Sequence, residues 1–257
     1  MMLEVRDLQI SYRDQVVSSV PTLDLEPGQV LGIAGESGSG KSQTALALMG
    51  LTRYANGVVT GSMMLDGREL LSLSARQWRL VRGRDIAMIL QSPRAALNPT
   101  MKLGALFSRT LRLHGMTKDQ RGPRMVQALA EVVLDAEILD RYPHEISGGQ
   151  AQRFAIALVA ALRVKVLIAD EPTSALDVTV QAEVIDVLRN LRDRHGTAII
   201  FISHDLSVIG ELADTVMVMR DGTVVEQGSA DAIFNQPTQE YTRMLLAAIP
   251  VIGGRSR

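Results

Sequence analysis

The chain of 257 residues contains no cysteine. That excludes disulfides, thiolate zinc sites, cysteine-ligated iron–sulfur clusters and a cysteine nucleophile. Histidine is scarce as well. The four present are scattered, which argues against a histidine-based metal centre. Neither sign of charge dominates: 27 basic and 28 acidic side chains leave a net charge of −1. Such a balance speaks against a protein that coats nucleic acid or clings to a membrane through a polybasic surface. Long apolar runs are missing too. The longest, from Phe154 to Leu162, is far below the ~20 residues that a membrane span needs. The first residues, Met1-Met2-Leu3-Glu4-Val5-Arg6-Asp7, are broken by charge at once and do not read as a signal peptide. There are neither internal repeats nor low-complexity linkers. A soluble, cytoplasmic chain is expected, with any membrane role arising through a partner. Its length suits one large α/β domain with a smaller insertion.

Periodicity organises what is there. Residues 3–12 alternate, with Leu3, Val5, Leu8 and Ile10 apolar, and predict a half-buried strand. Residues 22–26, before Pro27-Gly28, predict a second. Residues 30–34, 85–90, 166–169 and 198–202 are short apolar runs of the kind that form buried strands. Residues 57–66 read as a strand closed by an Asp66-Gly67 turn, and 215–219 with 224–226 as a hairpin about Asp221-Gly222. Helices are predicted over 74–80, 101–114, 119–134, a run ending at Leu162, 178–194 and 206–212. His195-Gly196 serves as a C-cap, and two short helices, 229–235 and 239–248, should pack back on the core. No strand pattern appears between Gln91 and Glu145. About fifty residues there form a helical insertion, with the usual ~2–4 residue play at its borders.

Within this frame Gly35-Glu36-Ser37-Gly38-Ser39-Gly40-Lys41-Ser42 carries chemistry. It follows a buried strand, opens a run of helix formers, and fits the phosphate-binding pattern G-x-x-x-x-G-K-[ST]. A phosphate chain needs many backbone N–H donors at close range, and glycines let the backbone curl around it. The following helix adds its positive end. Lys41 would reach the β- and γ-phosphates, and the Ser42 hydroxyl would ligate Mg²⁺. A second anchor is the strand 166–169 that runs into Asp170 and Glu171. An acidic pair after an apolar run is weak alone. Beside a phosphate loop it becomes a place for Mg²⁺ and for a base.

The remaining pieces fall in a telling order. Gln91 ends a strand, Ser147-Gly148-Gly149-Gln150 precedes a helix, Ser174-Ala175-Leu176-Asp177 follows the acids, and His204 ends the next strand. Over nearly its whole length the chain resembles the ATPase subunit of an ABC transporter. The resemblance implies an α/β fold: a P-loop NTPase core with an antiparallel β subdomain and an inserted α-helical subdomain. It places the core with its β subdomain at 1–90 and 151–235, the helical insertion at 91–150, and a C-terminal helix and tail at 236–257. ATP and Mg²⁺ are the implied ligands. Ser147, Gly148, Gly149 and Gln150 match the signature motif, with Ile146 before the serine where leucine is commoner. Gln91 matches the Q-loop glutamine, which touches Mg²⁺ or water, and Asp177 the D-loop aspartate at the dimer interface. Asp177 could equally cap the helix that begins near Val178. His204 matches the switch histidine, which contacts the γ-phosphate. Glu171 becomes the general base, Asp170 a Mg²⁺ ligand, and Tyr12 the aromatic that stacks on adenine. Two chains arranged head to tail would sandwich each ATP between the phosphate loop of one and the signature of the other.

Three further segments narrow the resemblance: Gln91 to Pro99, Tyr142-Pro143-His144-Glu145, and Tyr241 to Pro250. Together they resemble the dipeptide, oligopeptide and nickel importer ATPases of bacteria. Many of those carry a longer C-terminal region with clustered cysteines. This chain has no cysteine, which favours the shorter members, nickel-type ones among them. The implied partners are a second ATPase subunit, identical or not, two permease subunits and, through them, an extracytoplasmic substrate-binding protein, at the cytoplasmic face of the inner membrane. No nucleic acid is implied. Two other readings stand beside it. One is a soluble ABC ATPase acting on ribosomes or DNA, though such proteins usually fuse two cassettes or insert coiled coils. The other is a P-loop small-molecule kinase, which leaves Ser147–Gln150 and His204 unexplained. The transported substrate is not written in the sequence.

Overall fold

The computed structural model describes residues 1–174 and 176–249. Its centre is a run of parallel strands, β3 (Val30–Ala34), β8 (Ala198–Ser203), β7 (Val166–Asp170) and β6 (Ile86–Ile89), with β9 (Thr215–Arg220) parallel on the far side of β3. Nearly every residue of these strands is buried. Parallel strands covered on both faces lose the apolar–polar alternation and become continuous apolar runs, which is why they are legible in the sequence. The alternation survives as a division between two cores. Leu167, Ala169, Ile199 and Phe201 face one, while Val166, Ile168, Ile200 and Ile202 face the other.

A largely antiparallel arm extends the sheet: β10 (Thr223–Ser229), β2 (Gln15–Leu25), β1 (Leu3–Tyr12), β4 (Gly57–Leu65) and β5 (Arg68–Glu69), with one parallel contact between β10 and β2. Here β2 begins seven residues before the strand predicted at 22–26. It turns directly from β1 through Arg13 and Asp14, both with left-handed backbone at φ 47° and 65°. Ser18, Ser19 and Pro21 hide this strand from a reading based on propensity. Pro21 is tolerated because the other neighbour of β2, β10, pairs with it only at Ser19, so no ladder needs the missing N–H.

Helices pack on both faces. One face carries α1 (Lys41–Leu48) and α2 (Ala75–Val81), the latter opened by a reciprocal Ser74–Gln77 capping box. Between β6 and β7 the described elements are all helical: α3 (Pro93–Ala96), α4 (Leu103–Leu113), α5 (Lys118–Glu131), α6 (Gly148–Leu162) and short 3₁₀ turns. The second and third of these are shorter than predicted, starting at Leu103 rather than 101 and ending at Glu131 rather than 134. Leu103, Phe107 and Leu111 form one buried stripe of α4. Phe107 meets Phe154 of α6 edge to face, ring centroids 5.6 Å apart at 84°. The chain then adds α7 (Val178–His195), closed by Gly196 at φ 64°, α8 (Leu206–Leu212), α9 (Ala230–Asn235) and α10 (Glu240–Ala247). The last two pack against the core through Ile233, Tyr241, Leu245 and Leu246, as expected. The sequence also reads residues 251–257 as a frayed end, a segment that lies outside the described residues. No helix among the described residues is long and apolar enough to cross a membrane.

Phe154 is fully buried and anchors α6 against the helical insertion. Phe154→Ala should destabilise the protein by about 3–5 kcal/mol, read as a lower midpoint in urea unfolding.

Candidate functional site

β3 ends at Ala34, and the chain turns through Gly35 with φ +147°. A Cβ at Gly35 would lie 2.2 Å from the Met219 carbonyl oxygen and 2.7 Å from Ser39 Oγ. Only glycine fits this turn. The loop closes on Gly40, whose left-handed backbone opens α1 without any side-chain cap. The first-turn N–H groups of α1 are therefore left to an external acceptor, at the positive end of the helix dipole.

Lys41 folds back over the loop. Its ammonium donates to the Gly35 carbonyl at 2.7 Å, the Glu36 carbonyl at 2.8 Å and Ser39 Oγ at 3.3 Å. The residue is only 5% exposed. Burial lowers the pKa of the ammonium, while the nearby charges of Glu171, Asp170 and Glu36 act the other way. A cation taken out of water and solvated by neutral oxygens is well matched to an anion arriving beside it.

Four other side chains come from the C-terminal ends of three adjacent parallel strands, where α/β sheets place their ligand crevices. Asp170 is the last residue of β7 and is buried. The Ser42 hydroxyl donates to its Oδ1 at 3.2 Å. Burial, first, and the Glu171 charge raise the pKa of Asp170, opposed by the Ser42 hydrogen bond and the Lys41 charge. Glu171 follows in left-handed backbone, φ 47°, its N–H bonded to the Ile202 carbonyl at 2.9 Å. A non-glycine residue held there costs about 1–3 kcal/mol. The turn sets the carboxylate between two partners. Gln91 Nε2 donates to Oε2 at 2.9 Å, and His204 Nδ1 lies 3.1 Å from Oε1. Gln91 and His204 do not end their strands, as the sequence suggested. β6 stops at Ile89, where its ladder with β7 ends, and β8 at Ser203, where its ladder with β3 ends, and the two side chains sit in the turns beyond.

These groups line one cleft of about 620 Å³: Glu36, Ser37, Gly38, Gly40, Lys41 and Ser42 on one side, Gln91, Glu171 and His204 on the other. Gly35 and Ser39 are buried behind its wall. Gln43 and Ser174 complete the lining without having been marked as site residues. Gln43 had only its place after Ser42 as a signal. The Ser174 hydroxyl donates to the Glu171 carbonyl at 2.9 Å. Tyr12 stands one residue removed from the cleft. Its hydroxyl donates to Gln43 Oε1 at 2.8 Å, and its ring lies beside Gly57.

Ser147, Gly148, Gly149 and Gln150 do not line this cleft. Helix α6 starts at Gly148, inside the motif rather than after it. Ser147 Oγ accepts from the Gln150 N–H at 3.1 Å, and Gln150 Oε1 accepts from the Ser147 N–H at 3.0 Å. The motif is thus a self-capped helix end. Gly149 lets it press on α7, since a Cβ there would lie 2.5 Å from Val180 Cγ1. Asp177, exposed, caps α7 by accepting from the Val180 N–H at 3.0 Å. Arg94, which sequence reasoning passed over, ties the segment after Gln91 to the approach of α6. It donates to the carbonyls of Pro143 at 3.0 Å and His144 at 2.8 Å.

The donor set suits a small hard cation. Among the described residues no group of three or more His, Cys, Asp or Glu side chains gathers as for a dedicated metal cage. Mg²⁺ bound with phosphates needs only one or two protein oxygens, and Ser42 Oγ beside Asp170 offers them.

Comparison with known proteins agrees with this geometry. The sequence profile of the ABC transporter family matches residues 19–174. The chain is 45% identical over 260 residues to the oligopeptide transport ATP-binding protein OppD of Haemophilus influenzae, covering 98% of this chain and 80% of that one. It is 43% identical over 257 residues to the peptidoglycan transport ATP-binding protein YejF of Agrobacterium fabrum, covering 97% of this chain and 47% of the relative. The chain thus spans about half the length of that relative. Among solved structures it is similar to cbiO1 from Clostridium perfringens, part of the ABC transporter complex cbiONQ. There the TM-score is 0.79 at 26% identity, over 91% of each chain. A cassette solved as a dimer in a post-hydrolysis state with ADP and Pi superposes with a TM-score of 0.77 at 22% identity, over 89% of this chain and 99% of that one. The chain belongs to the ABC transporter family, and its fold is that of an ATP-binding cassette.

The buried Asp170 carboxylate yields a stability test. Its raised pKa means that the charged form weighs against the folded state at neutral pH. Asp170→Asn should therefore raise the melting temperature of nucleotide-free protein at pH 7. The gap should narrow as the pH falls through the raised pKa of Asp170, because the wild type then gains a proton in the folded state. Thermal melts from pH 7 downward would check this.

Proposed function

We propose that the chain binds and hydrolyses ATP, and that it is the ATPase subunit of a bacterial ABC importer of the peptide type. The observation that carries the reading is Glu171, held from both sides by Gln91 and His204 and facing Lys41 across one cleft. A carboxylate at 14% side-chain exposure with both oxygens engaged is oriented as a general base for an attacking water. His204, at 56% side-chain exposure, is free on its other side to meet a phosphate oxygen. Lys41 exchanges the Gly35 and Glu36 carbonyls for the β- and γ-phosphates, alongside the uncapped N-terminus of α1. Ser42 and Asp170 would hold Mg²⁺, with Gln91 nearby, and the ion when bound supplies charge neutralisation to the phosphates. Tyr12, through its bond to Gln43, marks the side on which adenine stacks.

The signature residues lie outside the cleft of their own chain, so they would act on a second subunit's nucleotide in a head-to-tail pair, with Asp177 at the interface. We assign the core with its β subdomain to 1–90 and 151–235, the helical insertion to 91–150 and the C-terminal segment to 236–257. The names of the relatives, which refer to transport of oligopeptide and peptidoglycan, support two permease subunits and an extracytoplasmic binding protein as further partners. They support a site of action at the cytoplasmic membrane. They weigh against a soluble ABC ATPase, and they lend nothing to a nickel substrate.

Glu171→Gln should retain ATP binding and lower turnover by about 10²–10⁴-fold, measured as phosphate release against nucleotide retention on a filter. Lys41→Ala should lose nucleotide binding itself. Wild-type turnover in Glu171→Gln would remove Glu171 from the chemistry. Failure to co-purify with any membrane permease would remove the transport assignment.

A further inference from the structure

The peptide group joining Gly35 to Glu36 is held from two directions. Its carbonyl accepts from the Lys41 ammonium at 2.7 Å. Its N–H donates to the hydroxyl of Tyr241, 205 residues further along the chain, at 3.3 Å. The oxygen and hydrogen of a trans peptide point in opposite directions, so lysine and tyrosine grip it from opposite sides. The grip matters because the flanking residue is glycine. With no Cβ at Gly35 the peptide plane has little steric resistance to rotation, and hydrogen bonds must set its orientation.

Tyr241 is itself well fixed. It lies on α10, is 8% exposed, and the Arg220 guanidinium sits over its ring, 4.8 Å from the centroid. The helix is tied down independently of the hydroxyl. Glu226 of β10 accepts from the Thr238 N–H at 2.7 Å, the Thr238 hydroxyl at 2.8 Å and the Gln239 N–H at 3.2 Å. Leu245 and Leu246 pack on the core.

We propose that Tyr241 is a positioning residue for the phosphate loop. It holds the 35–36 peptide in place while Lys41 leaves the Gly35 carbonyl for phosphate. The C-terminal helix is then a strut of the nucleotide cradle as well as a lid on the core. This inference rests on the nucleotide reading of the cleft. Without the hydroxyl, the peptide loses this side-chain acceptor at the moment its carbonyl loses Lys41, and the cradle spends part of its time misoriented. The cost falls on nucleotide binding rather than on the chemical step.

The test compares the full wild-type chain with Tyr241→Phe, which keeps the ring and its Arg220 contact. Amide hydrogen exchange is followed without nucleotide, and KM and kcat with ATP. The bond is long, so the expected rise in KM is modest, about 2- to 5-fold, with kcat unchanged. Exchange over residues 31–40 should quicken, while residues 239–249 keep their protection. Unchanged exchange at the loop together with an unchanged KM would overturn the proposal. So would a loss of protection in residues 239–249, which would make Tyr241 an anchor for the helix and nothing more. A wild-type chain that binds no ATP would instead sink the underlying reading of the cleft, an outcome visible without any variant.

Discussion

One buried ammonium organises the site. Lys41 is withdrawn from water and solvated by two backbone carbonyls and a hydroxyl of the loop that carries it. The desolvation that depresses its pKa also makes it receptive to an anion, since neutral carbonyls compensate a buried cation less well than phosphate does. The tight surroundings follow from this. Gly35 has no room for a side chain against Met219 and Ser39. The loop is also slung between a strand buried on both faces and a helix whose own end is uncapped.

The opposite wall is an outcome of topology. β8, β7 and β6 are neighbours and run parallel, so His204, Glu171 and Gln91, one just beyond each strand, reach the same crevice although they are far apart in sequence. The strained backbone of Glu171 lets one carboxylate be gripped by both neighbours. Arg94 then links the Gln91 turn to the 143–144 segment ahead of α6. The Glu171 bond and the Arg94 bonds thus lie at the two ends of one short segment, 91–94, beside the approach to the self-capped end of α6.

Part of this was open to a reader of the chain. The phosphate loop is contiguous, and its eight residues carry their chemistry in their order. The buried strands announce themselves as apolar runs, and the helical insertion by a stretch without strand pattern. Other features were hidden for definite reasons. The stretch of β2 ahead of Thr22 is obscured because Ser18, Ser19 and Pro21 interrupt its valines, Pro21 being allowed where one edge of the strand is almost unpaired. Gln91 and His204 fall beyond their strands because a ladder ends where its partner does. Gln43, Ser174 and Arg94 are ordinary residues until the fold gives them a carbonyl, a carboxylate or a wall.

Local order therefore determined the phosphate loop, the class of fold and the identity of the acids that follow β7. All of these depend on residues adjacent in the chain. Tertiary structure alone decided that Gln91 and His204 share Glu171, that the Ser147–Gln150 turn stays outside the cleft of its own chain, and that a tyrosine near the C-terminus steadies a peptide near the N-terminus. Those contacts lie between 33 and 205 residues apart in sequence. No periodicity or motif spans such distances, because they are set by which strands lie side by side and by where the last helix comes to rest.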